Sequence, residues 1–259
     1  MGNFISILPG PLGSQDPYLL AILMGIVFAG AFLTSAFGIG GGVFMTPLFI
    51  LLLPPKLGIG LLGPLMLLSS GTGVRQYWRE WDRRIVMVLL PSSLIGVWLG
   101  TYLLSEISPV IVKKTVGILA IFFGAIQFIT VDQPEWRNRL QPATWQGVVL
   151  GFASGITSAL AHIGGIVFSF YLLPHSRTKE IFVGTTVFLF FAQGLLKMGT
   201  YIYYHILTLP ILILSLTLIP TLLLGSMTGK RLNRLIPHKL FMRLICILVA
   251  AMGIGLIFG

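Results

Sequence analysis

The sequence predicts an all-α polytopic membrane protein built as two inverted repeats, each a glycine-broken helical hairpin followed by three transmembrane helices. Three observations carry that prediction. Of 259 residues, 56% are hydrophobic and only 9% charged, whereas a soluble domain carries about 25% charge. One globular core cannot hide so much apolar surface, and a bilayer can. The apolar stretches recur in the same order in both halves, and the basic residues gather in alternate loops.

The first half holds apolar stretches at about 17–37, 43–53, 57–79, 85–104 and 110–131. A polar break follows, VDQPEWRNRLQP at 131–142. The pattern then resumes at 143–161, 166–173, 181–201, 209–228 and 240–258. Stretches of about 20 residues are long enough to span as helices, and 43–53 and 166–173 are not. Each half therefore reads as a helix, a glycine break, a short apolar piece, a proline (Pro54 or Pro174) and three full spans. The breaks are GIGG at 38–41 and HIGG at 162–165. Such a duplication is far too long for a solenoid unit and suits a two-repeat carrier. The chain divides into an extracytoplasmic leader, 1–16, a first transmembrane repeat, 17–131, a cytoplasmic linker, 132–142, and a second repeat, 143–259. Residues 1–16 contain no Lys or Arg and do not read as a cleaved signal peptide. The single cysteine, Cys246, lies in an apolar stretch.

Positive charge sets the orientation. Arg75, Arg79, Arg83 and Arg84 cluster after the third stretch, Arg137 and Arg139 lie in the central break, and Arg177 and Lys179 follow the second glycine turn. Lys230, Arg231, Arg234, Lys239 and Arg243 gather at the last loop, while 105–109 and 202–208 hold no Lys or Arg. Placing the rich regions in the cytoplasm satisfies the positive-inside rule. Stretch 57–79 then runs inward and 181–201 outward, which inverts the repeats and puts both termini outside the cell (inner) membrane. The net charge of +10 is accounted for by these loops, so the expected surroundings are a lipid bilayer and not nucleic acid.

Four glycines in five residues, Gly38, Gly40, Gly41 and Gly42, cost a continuous helix about 1 kcal/mol each against alanine. Inside a membrane, broken backbone is tolerated where protein buries it or where it lines a wet cavity. A helix starting near Val43 would present free N–H groups and a positive dipole end, an attractive place for an anion. Gly164 and Gly165 offer the same at the second break. The opposing reading is that small residues only let helices pack closely.

Other polar residues lie within the spans: Ser69, Ser70 and Thr72 in the third stretch, and Thr185, Thr186 and Gln193 in its counterpart. They could donate to an oxyanion or simply tie helices together. Arg75 and Lys197 occupy near-equivalent places. Each could serve an anion or snorkel to the interface. His162 stands where the first break has Gly38. It could carry a proton coupled to transport or bond a carbonyl freed by the break. All seven acidic residues, Asp16, Glu80, Asp82, Glu106, Asp132, Glu135 and Glu180, fall at segment ends or in loops. That disfavours a cation carrier, which needs intramembrane carboxylates, and a metal hydrolase. No metal, cofactor or catalytic residue is expected. The expected ligand is a small anion, with protons as a candidate coupling ion, and the alternatives are an anion channel, an intramembrane enzyme or a membrane scaffold.

GIGGGVFMTPLFIL at 38–51 resembles the first signature of the TauE/SafE family of sulfite exporters, with its glycine turn followed by Pro47 and Leu48. FVGTTVFLFFAQGLLKMGTYIYYHIL at 182–207 is similar to that family's second-repeat helix, with Gly184, Thr185 and Lys197 at matching places. SSGTGVRQYWREWDRR at 69–84 resembles the basic stretch after the first-repeat helix. The likeness runs from about 20 to 258. It implies export of sulfite or a related small organosulfur anion such as an organosulfonate. The second signature departs from the pattern: His162 replaces a glycine, Ile166 replaces the last one, Tyr171 stands opposite Pro47, and Gln193 stands where asparagine is usual.

Overall fold

The computed structural model describes residues 17–37, 41–130, 142–176, 178–232 and 238–258. Among them the chain is all-helical, with ten helices. The first half gives α1 (Pro17–Phe37), α2 (Gly41–Leu52), α3 (Pro55–Gln76), α4 (Arg83–Glu106) and α5 (Pro109–Thr130). The second gives α6 (Thr144–Ala161), α7 (Gly164–His175), α8 (Lys179–Tyr203), α9 (Leu209–Leu232) and α10 (His238–Phe258). Six are long and apolar enough to cross a membrane: α1, α3, α4, α5, α8 and α9. At 1.5 Å per residue a helix such as α3 is about 33 Å long, the thickness of the hydrocarbon core. The protein is a multi-pass membrane protein.

The helix starts follow local chemistry. Pro55 opens α3, where its missing N–H costs nothing. Asp82 caps α4, its carboxylate accepting from the Arg84 and Ile85 N–H groups at 2.8 and 3.3 Å. The Thr178 hydroxyl caps α8 by accepting from Ile181 N–H. Pro174 does not end the second short helix. It sits in the last turn of α7, which runs on to His175, because a proline near a helix end removes only one hydrogen bond.

The two halves of the chain interlock. α1 packs on α9 and α6 on α4, so the first helix of each half lies against the fourth of the other. α3 packs on α8 and α5 on α10, each helix against its own counterpart. Exchanging the halves maps these pairings onto themselves. Glycines make the approaches close. On α4 and α6, Gly96 lies against Phe152 and Gly155, and Gly100 against Ile156 and Ala159; on α9, Gly225 lies on Phe28 and Gly229 on Phe32 of α1. Both cross-repeat pairs thus run parallel. The counterpart pairs run antiparallel. Gly73 of α3 lies against Val187, Gly71 against Phe191, Leu67 against Gly194 and Gly63 against Tyr201 of α8, while Gly117 and Gly124 of α5 lie against Gly253 and Cys246 of α10.

Each short helix folds back on the helix before it. Met45 of α2 lies against Gly30 and Gly41 against Thr34 of α1; Tyr171 of α7 lies against Gly147 and Gly164 against Ser154 and Ser158 of α6. The largest buried cluster surrounds these hairpins, with Phe49, Ile50, Leu61, Leu62 and Tyr201 all inaccessible.

Candidate functional site

The candidate site forms where α6 ends and α7 begins. After Ala161 the chain reverses through His162, whose φ of 56° and ψ of 26° are left-handed. Histidine enters that region more readily than most side chains, at a cost of about 1–2 kcal/mol. The turn is held by the His162 N–H donating to Ser158 O at 3.2 Å and by the Ser154 hydroxyl donating to Gly164 O at 2.9 Å. α7 starts at Gly164 with no side-chain cap. The Ile166 N–H donates to Ile163 O at 3.1 Å, and the Gly164 and Gly165 N–H groups are those a helix leaves without intrahelical acceptors.

The first break meets this turn directly. A Cβ on Gly42 would strike the His162 carbonyl oxygen and lie 2.9 Å from the His162 Cβ. The start of α2 is therefore in backbone contact with the turn of the other repeat. Only a residue without a side chain permits that approach.

α8 supplies the third wall. Phe190, Gln193 and Lys197 fall on one stripe of the helix, at spacings of three and four. Phe190 lies on Gly165 and tilts against Phe168 of α7. Lys197 reaches α6, its Nζ donating to the Ser158 hydroxyl at 3.1 Å and to Ser158 O at 3.3 Å. Gln193 lies between them on the same stripe. It is wholly buried, and neither amide atom has a hydrogen-bond partner among the described residues. Both ring nitrogens of buried His162 lack one too, as does the hydroxyl of buried Thr46, one turn after Gly42 on α2.

Lys197 sets the electrostatics. It is 5% exposed, and among the described residues it is the only buried Lys, Arg, Asp or Glu. Ser158 O accepts from both Lys197 Nζ and the His162 N–H, which brings the ammonium to the His162 turn. No buried carboxylate is present among the described residues to compensate it. A buried ammonium with only a serine for company costs several kcal/mol, and an anion entering the site would repay that cost. The histidines, cysteine and carboxylates among the described residues form no cluster of three that could hold a metal.

The residues singled out in the sequence separate into two groups. The fold brings together Gly42, His162, Gly164, Gly165, Gln193 and Lys197. Gly41 and Val43 sit beside them in the first turn of α2, with Gly41 packed on Thr34 and Gly30 of α1 and Val43 buried. Gly38 and Gly40 lie outside the described residues. The others stand apart. Arg75 is exposed in the last turn of α3, where a cation suits the helix dipole. The Thr185 hydroxyl accepts from Asp82 N–H at 3.0 Å and so ties the α3–α4 turn to α8. The Ser70 hydroxyl is spent on Met66 O and Leu67 O at 2.9 and 3.0 Å. Half-buried Ser69 lends its carbonyl to Thr72 at 2.8 Å.

Sequence reasoning missed three contributors: Ser158, Ser154 and Thr46. Each had a signal. Ser154 and Ser158 stand four apart just before the second break, on the face that must turn toward it, and Thr46 follows Gly42 at the same spacing.

The model of the family described as Sulfite exporter TauE/SafE matches residues 22–256. No curated protein and no solved structure matches the chain. With nearly the whole sequence matched, the chain belongs to the TauE/SafE family, a family of membrane transporters for sulfur anions.

Proposed function

We propose that this TauE/SafE protein is a secondary transporter that exports a small sulfur-containing anion, sulfite or an organosulfonate, by alternating access to one centre formed by Lys197, His162 and Gln193. The observation that carries the reading is the buried Lys197 ammonium at the α6–α7 turn, where the start of α2 also meets that turn, among polar side chains that find no partner among the described residues.

The packing supports an inverted pair of repeats. α3 and α8 are counterparts that cross antiparallel, and α5 and α10 do the same. Two equivalent spanning helices that run in opposite senses are related by an axis in the membrane plane. The Leu67–Gly194 contact falls near the middle of both α3 and α8, so the neighbouring Gln193 lies at mid-depth, where carriers of this design bind their substrates. Both termini would then lie outside, with the arginine-rich α3–α4 turn in the cytoplasm. An inside-negative potential drives anion efflux with about 2.3 kcal/mol per charge per 100 mV, and a proton carried on His162 is a second route to coupling.

Among the described residues the centre holds no acid and no activated nucleophile, which favours transport over catalysis. An anion channel with the same centre is the competing transport reading, and exchange kinetics separate the two. Purified protein in liposomes preloaded with unlabelled sulfite should take up labelled sulfite above empty liposomes, and Lys197→Ala should lose that uptake while remaining folded. Flux through Lys197→Ala equal to that of the parent would refute the centre. Flux that is indifferent to internal sulfite would replace the carrier with a channel.

A further inference from the structure

From the hydrogen-bonding inventory of the centre we infer that Gln193 is its specificity residue, and that it selects an anion bearing its own hydrogen-bond donor beside the oxyanion, such as a hydroxy- or amino-substituted sulfonate, over the same anion without a donor. The inference rests on the anion-centre reading above and deepens it.

The donors and acceptors in the centre are unequal in what they can do for an oxyanion. Lys197 has three N–H bonds, and two are directed at the oxygens of Ser158, which leaves one. The Gln193 amide nitrogen brings two more donors. The His162 ring and the Thr46 hydroxyl can each present one, and none of these has a partner among the described residues. The Gly164 and Gly165 N–H groups at the start of α7 add to them. An oxyanion meets all of these as an acceptor.

The Gln193 carbonyl oxygen, Oε1, is different. It accepts and cannot donate. It is wholly buried at mid-depth, and no donor among the described residues reaches it. A fully deprotonated oxyanion cannot satisfy it and would set acceptor against acceptor. Rotating the amide does not help, because one end of the group is always the carbonyl. The group sits one turn from Lys197 on the same stripe of α8. A ligand whose sulfonate lies on Lys197 and the amide nitrogen can thus place a hydroxyl or ammonium N–H on Oε1. Removing that donor from the ligand leaves a buried carbonyl unpaired, which costs about tenfold to a hundredfold in affinity. A site built around a hydrogen bond rejects the analogue that lacks it more firmly than an apolar pocket rejects a methylene.

The test uses 2-hydroxyethanesulfonate and ethanesulfonate, which differ only in the hydroxyl. Each competes against labelled sulfite in counterflow, and the thermal shift each gives the detergent-purified full chain reports binding without transport. The parent should prefer the hydroxy compound by about tenfold or more. Gln193→Met, close in volume, should abolish the preference by weakening the hydroxy compound and leaving ethanesulfonate unchanged or tighter. Equal binding of the two by the parent overturns the inference, as does a preference that survives in folded Gln193→Met. Exchange of sulfite with both sulfonates refused also overturns it, and leaves the anion centre standing. Absence of exchange and of thermal shift with all three anions would remove the anion centre and this inference together.

Discussion

One methyl group tests whether the two glycine turns must touch. Gly42 and Gly25 both lie in the first hairpin, and Ala at either position adds the same atom. At Gly42 that atom would strike the His162 carbonyl oxygen, 2.9 Å from the His162 Cβ and 3.2 Å from its carbonyl carbon. Ordinary contacts begin near 3.4 Å, and what stands in the way is mostly backbone, pinned by the hydrogen bonds of the turn. α2 must therefore retreat from the turn, and overpacking of this kind costs about 1–3 kcal/mol. At Gly25 nothing lies within 4 Å of the added atom, and a helix interior gains up to about 1 kcal/mol from glycine to alanine. Gly42→Ala should therefore lower sulfite counterflow by about tenfold or more and lower the melting temperature in detergent. Gly25→Ala should leave counterflow at the parent level and the melting temperature unchanged or raised. Parent-like flux and melting in Gly42→Ala would refute the claim that the centre depends on backbone contact between the repeats.

Three further outcomes are expected. Arg75→Gln should change sulfite counterflow by less than about twofold, since Arg75 is exposed in the last turn of α3, while a loss matching that of Lys197→Ala would put Arg75 back in the centre. Tyr201→Phe removes a buried hydroxyl that donates to Ala159 O at 2.6 Å, a bond worth about 1 kcal/mol, and should lower the melting temperature by about 2–4 °C; an unchanged melting curve would show that this tie to the end of α6 contributes nothing. In a Cys246→Ala background, single cysteines at Arg79 and Tyr203 should react with an impermeant maleimide from opposite faces of the membrane, and labelling of both from one face would refute inverted repeats.

Much of this architecture was legible in the sequence, because the features that specify it act locally. The 17–37 stretch becomes α1 residue for residue, and the other boundaries move by at most four residues. Glycine and proline punctuate helices by backbone chemistry alone, so both breaks showed plainly. The pairings between helices did not. A membrane helix is apolar toward lipid and toward protein alike, so no stripe of polarity told which face of α1 meets α9. The signal that did exist lay in glycines four apart, Gly96 and Gly100, Gly151 and Gly155, Gly225 and Gly229, which mark where backbones approach. Part of the candidate site was hidden for the same reason. Lys197, His162 and Gln193 stood out as polar residues in apolar runs, but the sequence could not show that Ser158 would hold the ammonium. Nor could it show that the Thr185 hydroxyl would be taken by the α3–α4 turn.

The departure from symmetry bears most directly on mechanism. Two repeats with the same element order would be expected to offer two equivalent half-sites, and Arg75 and Lys197 look like such a pair. The fold treats them differently, one exposed at a helix end and the other buried against Ser158. The turns differ as well, since the second carries His162 where the first carries glycine. Symmetry is thus kept in the backbone pairings. It is broken in the side chains, which put cation, imidazole and amide on the second repeat. The first repeat contributes the bare backbone of Gly42 and the hydroxyl of Thr46. Under the proposed alternating-access reading, an anion held this way would be bound mainly by the second half and covered by the first. The moving part of the cycle would then be the first hairpin, α1 and α2, shifting against a substrate that stays with α6, α7 and α8.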